Sequence, residues 1–311
     1  MYLDFDFVKS RFRCDFDFVL FSHYEAQVEA LLSGFVDVAW NDSVAHVRVK
    51  KRTNFESLSL GMRHVDRDAL THVVTPKTVR TRDARSLSGK RIAAGAFDSP
   101  QSYIIPFLGL EREGVDLCTL EVIRFDTDPA GKHGEAALGE FEVMRALKDG
   151  MADAGFVSDA AWKRAMADGS AHGLEVADDS IRLPRFDSHQ FDALPSLSSE
   201  KLKSFLSALY SLNSGNTMHR TALHQLGGFE KNCFVPARGG VHGRKDGYDL
   251  VFDALQREGN QPPYAPLHSL ENHPFQSLLI VSQDSHGGTR MKSSSEHPWL
   301  HKYLRNEPSV A

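Results

Sequence analysis

Residues Ser99-Pro-Gln-Ser-Tyr103 follow the apolar run Arg91-Ile-Ala-Ala-Gly95 directly. A strand that delivers small polar residues to a helix start leaves backbone N–H groups free at a positive helix end, which suits a phosphate-like anion. Ser99 and Ser102 add hydroxyl donors there. The same residues also make an ordinary N-cap, so this segment alone fits two roles. Asn41 and Ser43 follow the apolar strand that ends at Trp40, at the carboxyl end where ligands gather in open α/β sheets, and they too can serve as caps. Asp159, behind the strand 154–157, offers an acceptor for an amine or a protonated oxyanion, or caps the helix that follows. Fifteen histidines invite a metal, yet no HExxH or two-His-one-carboxylate spacing occurs, and no motif signals a Ser-His-Asp or Cys-His pairing. No catalytic residue, metal ligand or cofactor is therefore assigned.

The elements that must hold these residues alternate between strand and helix, the pattern of an α/β fold with mainly parallel strands. Strands are expected at 16–21, 35–40, 57–62, 70–74, 91–95, 120–125 and 154–157, and helices at 23–33, from 41, at 99–113, 140–149, 199–212, 217–226 and 248–257. The segments near Thr75-Pro76 and 184–187 read as crossings. They imply a lobe of 1–76 plus 185–260, an inserted lobe of 77–184, and a hinge at the crossings. Beyond Gly259 the sequence turns to Pro262-Pro263 and Ser293-Ser-Ser295 with scattered histidines, so 261–311 is expected to be an irregular tail.

A length of 311 residues suits one large or two medium lobes. The net charge of −5, with no basic block, argues against nucleic acid or an anionic membrane as the main partner, so anion specificity must be local. Three cysteines without a CxxC fit a reducing compartment better than a disulfide framework. No run of 18 apolar residues exists, and Met1-Tyr-Leu-Asp-Phe-Asp lacks the features of a secretory signal. The chain as written is expected to be cytoplasmic, or periplasmic or membrane-associated if its start is truncated, and to be a monomer.

The succession Tyr24-Glu-Ala-Gln-Val-Glu-Ala-Leu-Leu-Ser-Gly34, Val36-Asp-Val-Ala-Trp-Asn41, Leu87-Ser-Gly-Lys-Arg91, Gly131-Lys-His-Gly-Glu135 and Ala146-Leu-Lys-Asp-Gly-Met-Ala-Asp-Ala-Gly155 resembles the phosphate/phosphite/phosphonate-binding proteins of ABC importers. The resemblance runs over about 16–255. It implies the type II periplasmic-binding-protein fold, a small oxyanion held between two lobes, and an ABC permease as partner. It also implies site roles. Tyr24 matches a position whose hydroxyl meets the ligand, and His133, with Glu135 in the same Gly-rich loop, matches a contact. His72 is favoured over Thr71 for a cleft-facing strand position, since alternation lets only one face it. Ser99, Gln101 and Ser102 match the anion loop, with Pro100 and Gln101 standing where small hydroxyl residues are usual. His189, with Asp187, lies near the return crossing.

Relative to the family, a first strand–helix unit is expected to be missing, and Val241-His-Gly-Arg-Lys-Asp246 reads as an insertion. The same fold serves some cytoplasmic enzymes. A thiamine-pyrimidine synthase-like or desulfinase-like enzyme is therefore the alternative function, and a ligand sensor a third.

Overall fold

The computed structural model describes residues 18–127, 134, 139–177, 181–212, 215, 233–237, 247–258, 279–283 and 289–292. In chain order the elements are β1 (Phe18–Leu20), α1 (Tyr24–Leu32), β2 (Val38–Asp42), α2 (Ser43–Arg52), β3 (Leu58–Arg63), β4 (Thr71–Pro76), β5 (Arg91–Ala94), α3 (Ile105–Arg112) and β6 (Glu121–Arg124). There follow α4 (Glu140–Lys148), β7 (Ala154–Ser158), α5 (Asp159–Asp168), β8 (Leu174–Val176), β9 (His189–Ala193), α6 (Ser199–Ser211), β10 (Phe234–Val235), α7 (Gly247–Glu258), β11 (Leu279–Gln283) and β12 (Thr289–Lys292). Two units result. One holds Met1–Leu3 and His23–Gln261; the other holds Asp4–Ser22 and Pro262–Ala311.

The larger unit contains two sheets. The first has the order β10-β3-β9-β2, and β9 lies antiparallel to both β2 and β3. The second has the order β6-β5-β7-β4-β8, with β5 parallel to β6 and β7, and β4 antiparallel to β7 and β8. Alternation along the second sheet loads both faces with apolar side chains, as a sheet covered on both sides requires. Val73, Ile92, Ala94 and Phe156 face α3 with Leu110, while Val74, Ala93 and Val157 face α4 and α5 with Val143, Leu147 and Ala161. A third cluster joins α2 and α7 to the start of α3 through Val44, Val47, Ile104, Ile105, Phe186, Tyr248 and Val251.

The chain passes between the sheets twice, and the two passages are tied together. Ala69 N–H donates to the Phe186 carbonyl at 2.7 Å and Phe186 N–H to the Ala69 carbonyl at 3.2 Å, an isolated antiparallel bridge. Phe186 is buried beneath it.

Several expectations need correction here. The strand expected at 70–74 and assigned to the first lobe is β4 (Thr71–Pro76) of the second sheet, so the first passage precedes Thr71 and Thr75-Pro76 lies within a strand. Thr75 is fully buried. Within the first sheet every described ladder is antiparallel, because β9 returns between β2 and β3 and separates them; parallel ladders are confined to β5. The strand at 16–21 does not join the first lobe. Its described part, β1, pairs antiparallel with β11, which pairs with β12, in the smaller unit. The stretch expected to be an irregular tail thus contributes a hairpin, whose Leu-Ile-Val run at 279–281 carries ordinary strand propensity. The expected helix 217–226 and the insertion at 241–246 lie outside the described residues.

Candidate ligand-binding site

On the first sheet the candidates gather where β2 ends, β9 begins and α1 starts. Tyr24 opens α1, whose N-cap is His23, the ring nitrogen accepting from Ala26 N–H at 3.2 Å. His189, the first residue of β9, stands opposite Asp42 in the ladder. Its ring stacks on Trp40 with centroids 5.7 Å apart and planes 11° apart, and lies 6.5 Å from the Tyr24 ring. The Arg63 guanidinium sits 5.3 Å from the Trp40 ring centroid.

Arg63 is fixed in turn by Asp66. Arg63 Nε and Nη2 donate to the Asp66 carboxylate at 2.5 and 2.7 Å, the Ser188 hydroxyl donates to Asp66 Oδ1 at 2.8 Å, and His189 Nδ1 is 3.6 Å from Oδ1. Burial pulls the Asp66 carboxyl upward, but the hydrogen bonds from Arg63 and His189 outweigh it and hold it at about 2. Asp66 lies in the first passage and Ser188 in the second, so one carboxylate braces both. Arg63 and Asp66 were not singled out as ligand-site residues by the sequence; the Arg–Asp spacing of three is its only trace of the pair.

Asn41 and Ser43 point into the first lobe. The Asn41 side-chain amide donates to Asp192 Oδ2 at 2.8 Å and its Oδ1 accepts from Gln27 Nε2 at 2.8 Å. Asp192 also lies 3.0 Å from His46 Nδ1, so Asn41 belongs to a fully buried polar network. Ser43 donates its hydroxyl to the Asp187 carbonyl at 2.8 Å. The cap of α2 is instead Asp42, whose Oδ1 accepts from Ala45 N–H at 2.7 Å. Burial raises the Asp42 carboxyl to about 6.

On the second sheet, Ser99 caps a turn of π-helix at 100–104 that runs into α3, its Oγ accepting from Ser102 N–H at 3.1 Å. Ser102 is buried, with Oγ accepting from Gly95 N–H at 2.8 Å and donating to the Phe156 carbonyl at 3.3 Å. Gly95 must be glycine for this, since a Cβ there would lie 2.6 Å from Ser102 Oγ. Gln101 is buried beside Glu140, the first residue of α4, whose carboxylate accepts from Ser158 N–H and whose pKa burial raises. His72 Nε2 is 3.1 Å from Asp159 Oδ1, and Lys163 reaches Asp159 Oδ2 at 2.7 Å. Burial of Asp159 is outweighed by these two partners, which lower its pKa. A cavity of about 390 Å³ opens beside His72, bounded by residues 70–73, the end of β8 and residues 181–185.

His133 and Glu135 lie outside the described residues. Gly134 between them is described, in the left-handed region at φ 61°, and a Cβ there would lie 2.7 Å from Asp98 Oδ2. Asp98 also acts on Asp42 as a like charge, which relates this part of the second lobe to the start of α2. Among the described residues no cluster of three or more His, Cys, Asp or Glu could hold a metal ion, and no helix is long and apolar enough to cross a membrane.

Comparison with solved structures finds this architecture repeatedly. PhnD1 from Prochlorococcus marinus (MIT 9301), solved in complex with methylphosphonate, superposes with a TM-score of 0.64 at 15% identity, covering 82% of this chain and 90% of that one. XAC2383 from Xanthomonas citri, solved bound to ATP, gives 0.62 at 15% identity over 82% and 92%. A binding-protein component of an ABC phosphonate transporter from Pseudomonas aeruginosa, PA3383, gives 0.56 at 11% identity over 81% and 87%. These likenesses identify the fold as that of type II periplasmic binding proteins, an α/β fold with mixed sheets. No curated protein matches the sequence. Residues 5–238 match the model of a protein family, and on that match the chain belongs to the phosphonate periplasmic substrate-binding proteins of ABC transporters.

Proposed function

We propose that this chain captures a small oxyanion of the phosphonate, phosphite or phosphate type between its two sheets and hands it to an ABC permease, acting as a monomer. The family is one of substrate-binding proteins rather than enzymes, so capture is reversible binding without chemistry. What supports the reading is where the candidates sit: Tyr24, Trp40 and His189 gather at the end of one sheet, and Ser99, His72 and Asp159 stand at strand ends and a helix start of the other.

Tyr24 and His189 are the ligand-facing residues of the first lobe in this reading. Ser99 and the loop of His133 and Glu135 serve in the second, while Asn41, Ser43, Gln101 and Ser102 hold the frame on which those residues stand. Closure bends the bridged passages at 64–70 and 184–188. Methylphosphonate in the Prochlorococcus structure supports an oxyanion, and ATP in the Xanthomonas structure places a nucleotide in the test set.

The test is a thermal-shift panel of methylphosphonate, phosphite, phosphate, sulfate and ATP on the full chain. Selective binding to the folded state raises the unfolding temperature as ligand concentration rises. A dose-dependent rise with one or more of the first three is expected. A rise with ATP alone would replace the small-oxyanion reading with a nucleotide one.

A further inference from the structure

The Ser188 hydroxyl has one proton to give and lies between two groups that could each take it. Its Oγ is 2.8 Å from Asp66 Oδ1 and 3.2 Å from His189 Nδ1. Asp66 can only accept, because Arg63 Nε and Nη2 both donate to it and hold its carboxyl at about 2. A hydroxyl turned to His189 would set two oxygens against each other at 2.8 Å, so Ser188 donates to Asp66 and accepts from His189. Nδ1 of His189 therefore carries hydrogen. Asp66 Oδ1, 3.6 Å from the same nitrogen, favours it there too.

That fixes what the other edge of the ring offers. Trp40 stacks on the imidazole at 5.7 Å, the Tyr24 ring lies 6.5 Å away, and the His189 side chain is 18% exposed. Nε2 has no hydrogen-bond or ion-pair partner among the described residues, so in the neutral ring it is an unmet acceptor. The charged and titratable groups that face the ring are Asp66 from the first passage, Arg63 from the end of β3, Asp42 across the ladder and the Tyr24 phenol from α1. Two of these act through the Nδ1 side, since Arg63 is bonded to Asp66 and Asp66 to Ser188.

We propose that the Asp66–Ser188–His189 relay makes His189 an acceptor for the proton of the bound oxyanion, so that the site, on the oxyanion reading above, selects a monoanion that still carries a P–OH group. No proton changes hands. The ligand keeps its hydrogen and shares it with Nε2. A sulfonate of the same shape and the same single charge has no hydrogen to share, and sets its oxygen lone pairs against that of Nε2. A dianion does the same with one more charge. Discrimination of this kind is strong, because a ligand lacking the donor leaves a half-buried acceptor unpaired. Asp66 and Ser188 are positioning residues, acting on the ligand only through His189.

Titration calorimetry of the full chain with methylphosphonate and with methanesulfonate tests the proposal. At pH 7 methylphosphonate should bind about a hundredfold more tightly. Between pH 7 and pH 9, through its second ionisation, its affinity should fall roughly tenfold, while any binding of the sulfonate stays constant. His189→Phe keeps a ring on Trp40 and removes Nε2, and should cut the preference for methylphosphonate to about tenfold or less. Ser188→Ala frees the imidazole to carry its hydrogen on Nε2, a donor that suits a sulfonate, and should narrow the preference about tenfold; Ser188→Thr should restore it. A purely structural loss would weaken both ligands alike and leave their ratio unchanged. Circular dichroism checks that each variant folds, and the imidazole ¹⁵N shifts of the wild type read the same point without a substitution: hydrogen on Nδ1 alone supports the relay, and hydrogen on Nε2 refutes it. Equal affinity for the two ligands, a tighter sulfonate, or affinity for methylphosphonate that rises from pH 7 to pH 9 would overturn the proton-reading role and leave oxyanion capture standing. Absence of binding by the folded wild type to methylphosphonate, phosphite and phosphate alike would overturn the capture reading itself.

Discussion

At Asp42 two effects oppose each other within one residue: the Ala45 N–H stabilises its carboxylate while burial penalises the charge, and burial is the larger. A folded-state value of about 6, above the ordinary 3.8, means that ionisation of Asp42 costs stability. The cost is absent below about pH 4 and complete above about pH 6, so Asp42→Asn should stabilise the chain by on the order of 2–3 kcal/mol at pH 8 and hardly at all at pH 4. Thermal unfolding at the two pH values reads this directly. Asp66 behaves in the opposite sense. Held near 2, it contributes stability that is present above about pH 4 and is lost as the pH falls toward 2. Asp66→Asn removes the carboxylate that Arg63 and Ser188 share, and should cost on the order of 3 kcal/mol in urea denaturation at pH 7. The sequence named Tyr24 and His189 but neither Asp42 nor Asp66 as site residues. A carboxylate between a strand and a helix reads as a cap whatever else it does, and a side chain that joins two passages 122 residues apart leaves no local signature.

The element with the clearest sequence signature, the strand-to-helix turn after β5, is where side-chain direction was hardest to read. Small polar residues at 99–102 announced a helix start, and Ser99 is its cap. Spacing alone did not reveal that Ser102 turns back under the strand to hold Gly95 N–H. Two variants follow from that contact. Ser102→Ala should cost about 1 kcal/mol, because Gly95 N–H keeps only the Ser102 carbonyl at 3.1 Å as its partner. Gly95→Ala should cost about 1–3 kcal/mol, since its Cβ would press on Ser102 Oγ and the chain must shift to admit it. Denaturant unfolding measures both. If Ser102→Ala instead left stability unchanged and abolished ligand binding, the inward role would be refuted. The helices α1, α4, α6 and α7, and the start of α2, fall within a residue or two of the positions expected from the sequence. Three strands were missed: the three-residue β8 and two-residue β10, too short for alternation to register, and the five-residue β9, whose start was read as part of the return crossing.

For the whole molecule, the alternation of strand and helix carried the fold class, and the two passages carried the insertion of one sheet within the other. The passage positions were less legible. Apolar strands continue on both sides of the first one, and only pairing with β7 and β8 decides that Thr71–Pro76 belongs to the second sheet. The pairing of β1 with β11 joins residues about 260 apart, beyond the reach of any local pattern. The central claim is that an oxyanion lies between the two sheets and draws them together, and hydrogen–deuterium exchange of the full chain with and without saturating methylphosphonate tests it without altering a residue. Ligand should slow exchange at the start of α1, at 40–46, at 97–103, at 158–162 and at the passages 64–70 and 184–189, because local opening must then also release the ligand. Saturation with no protection in these segments, or with protection confined to others, would contradict the account.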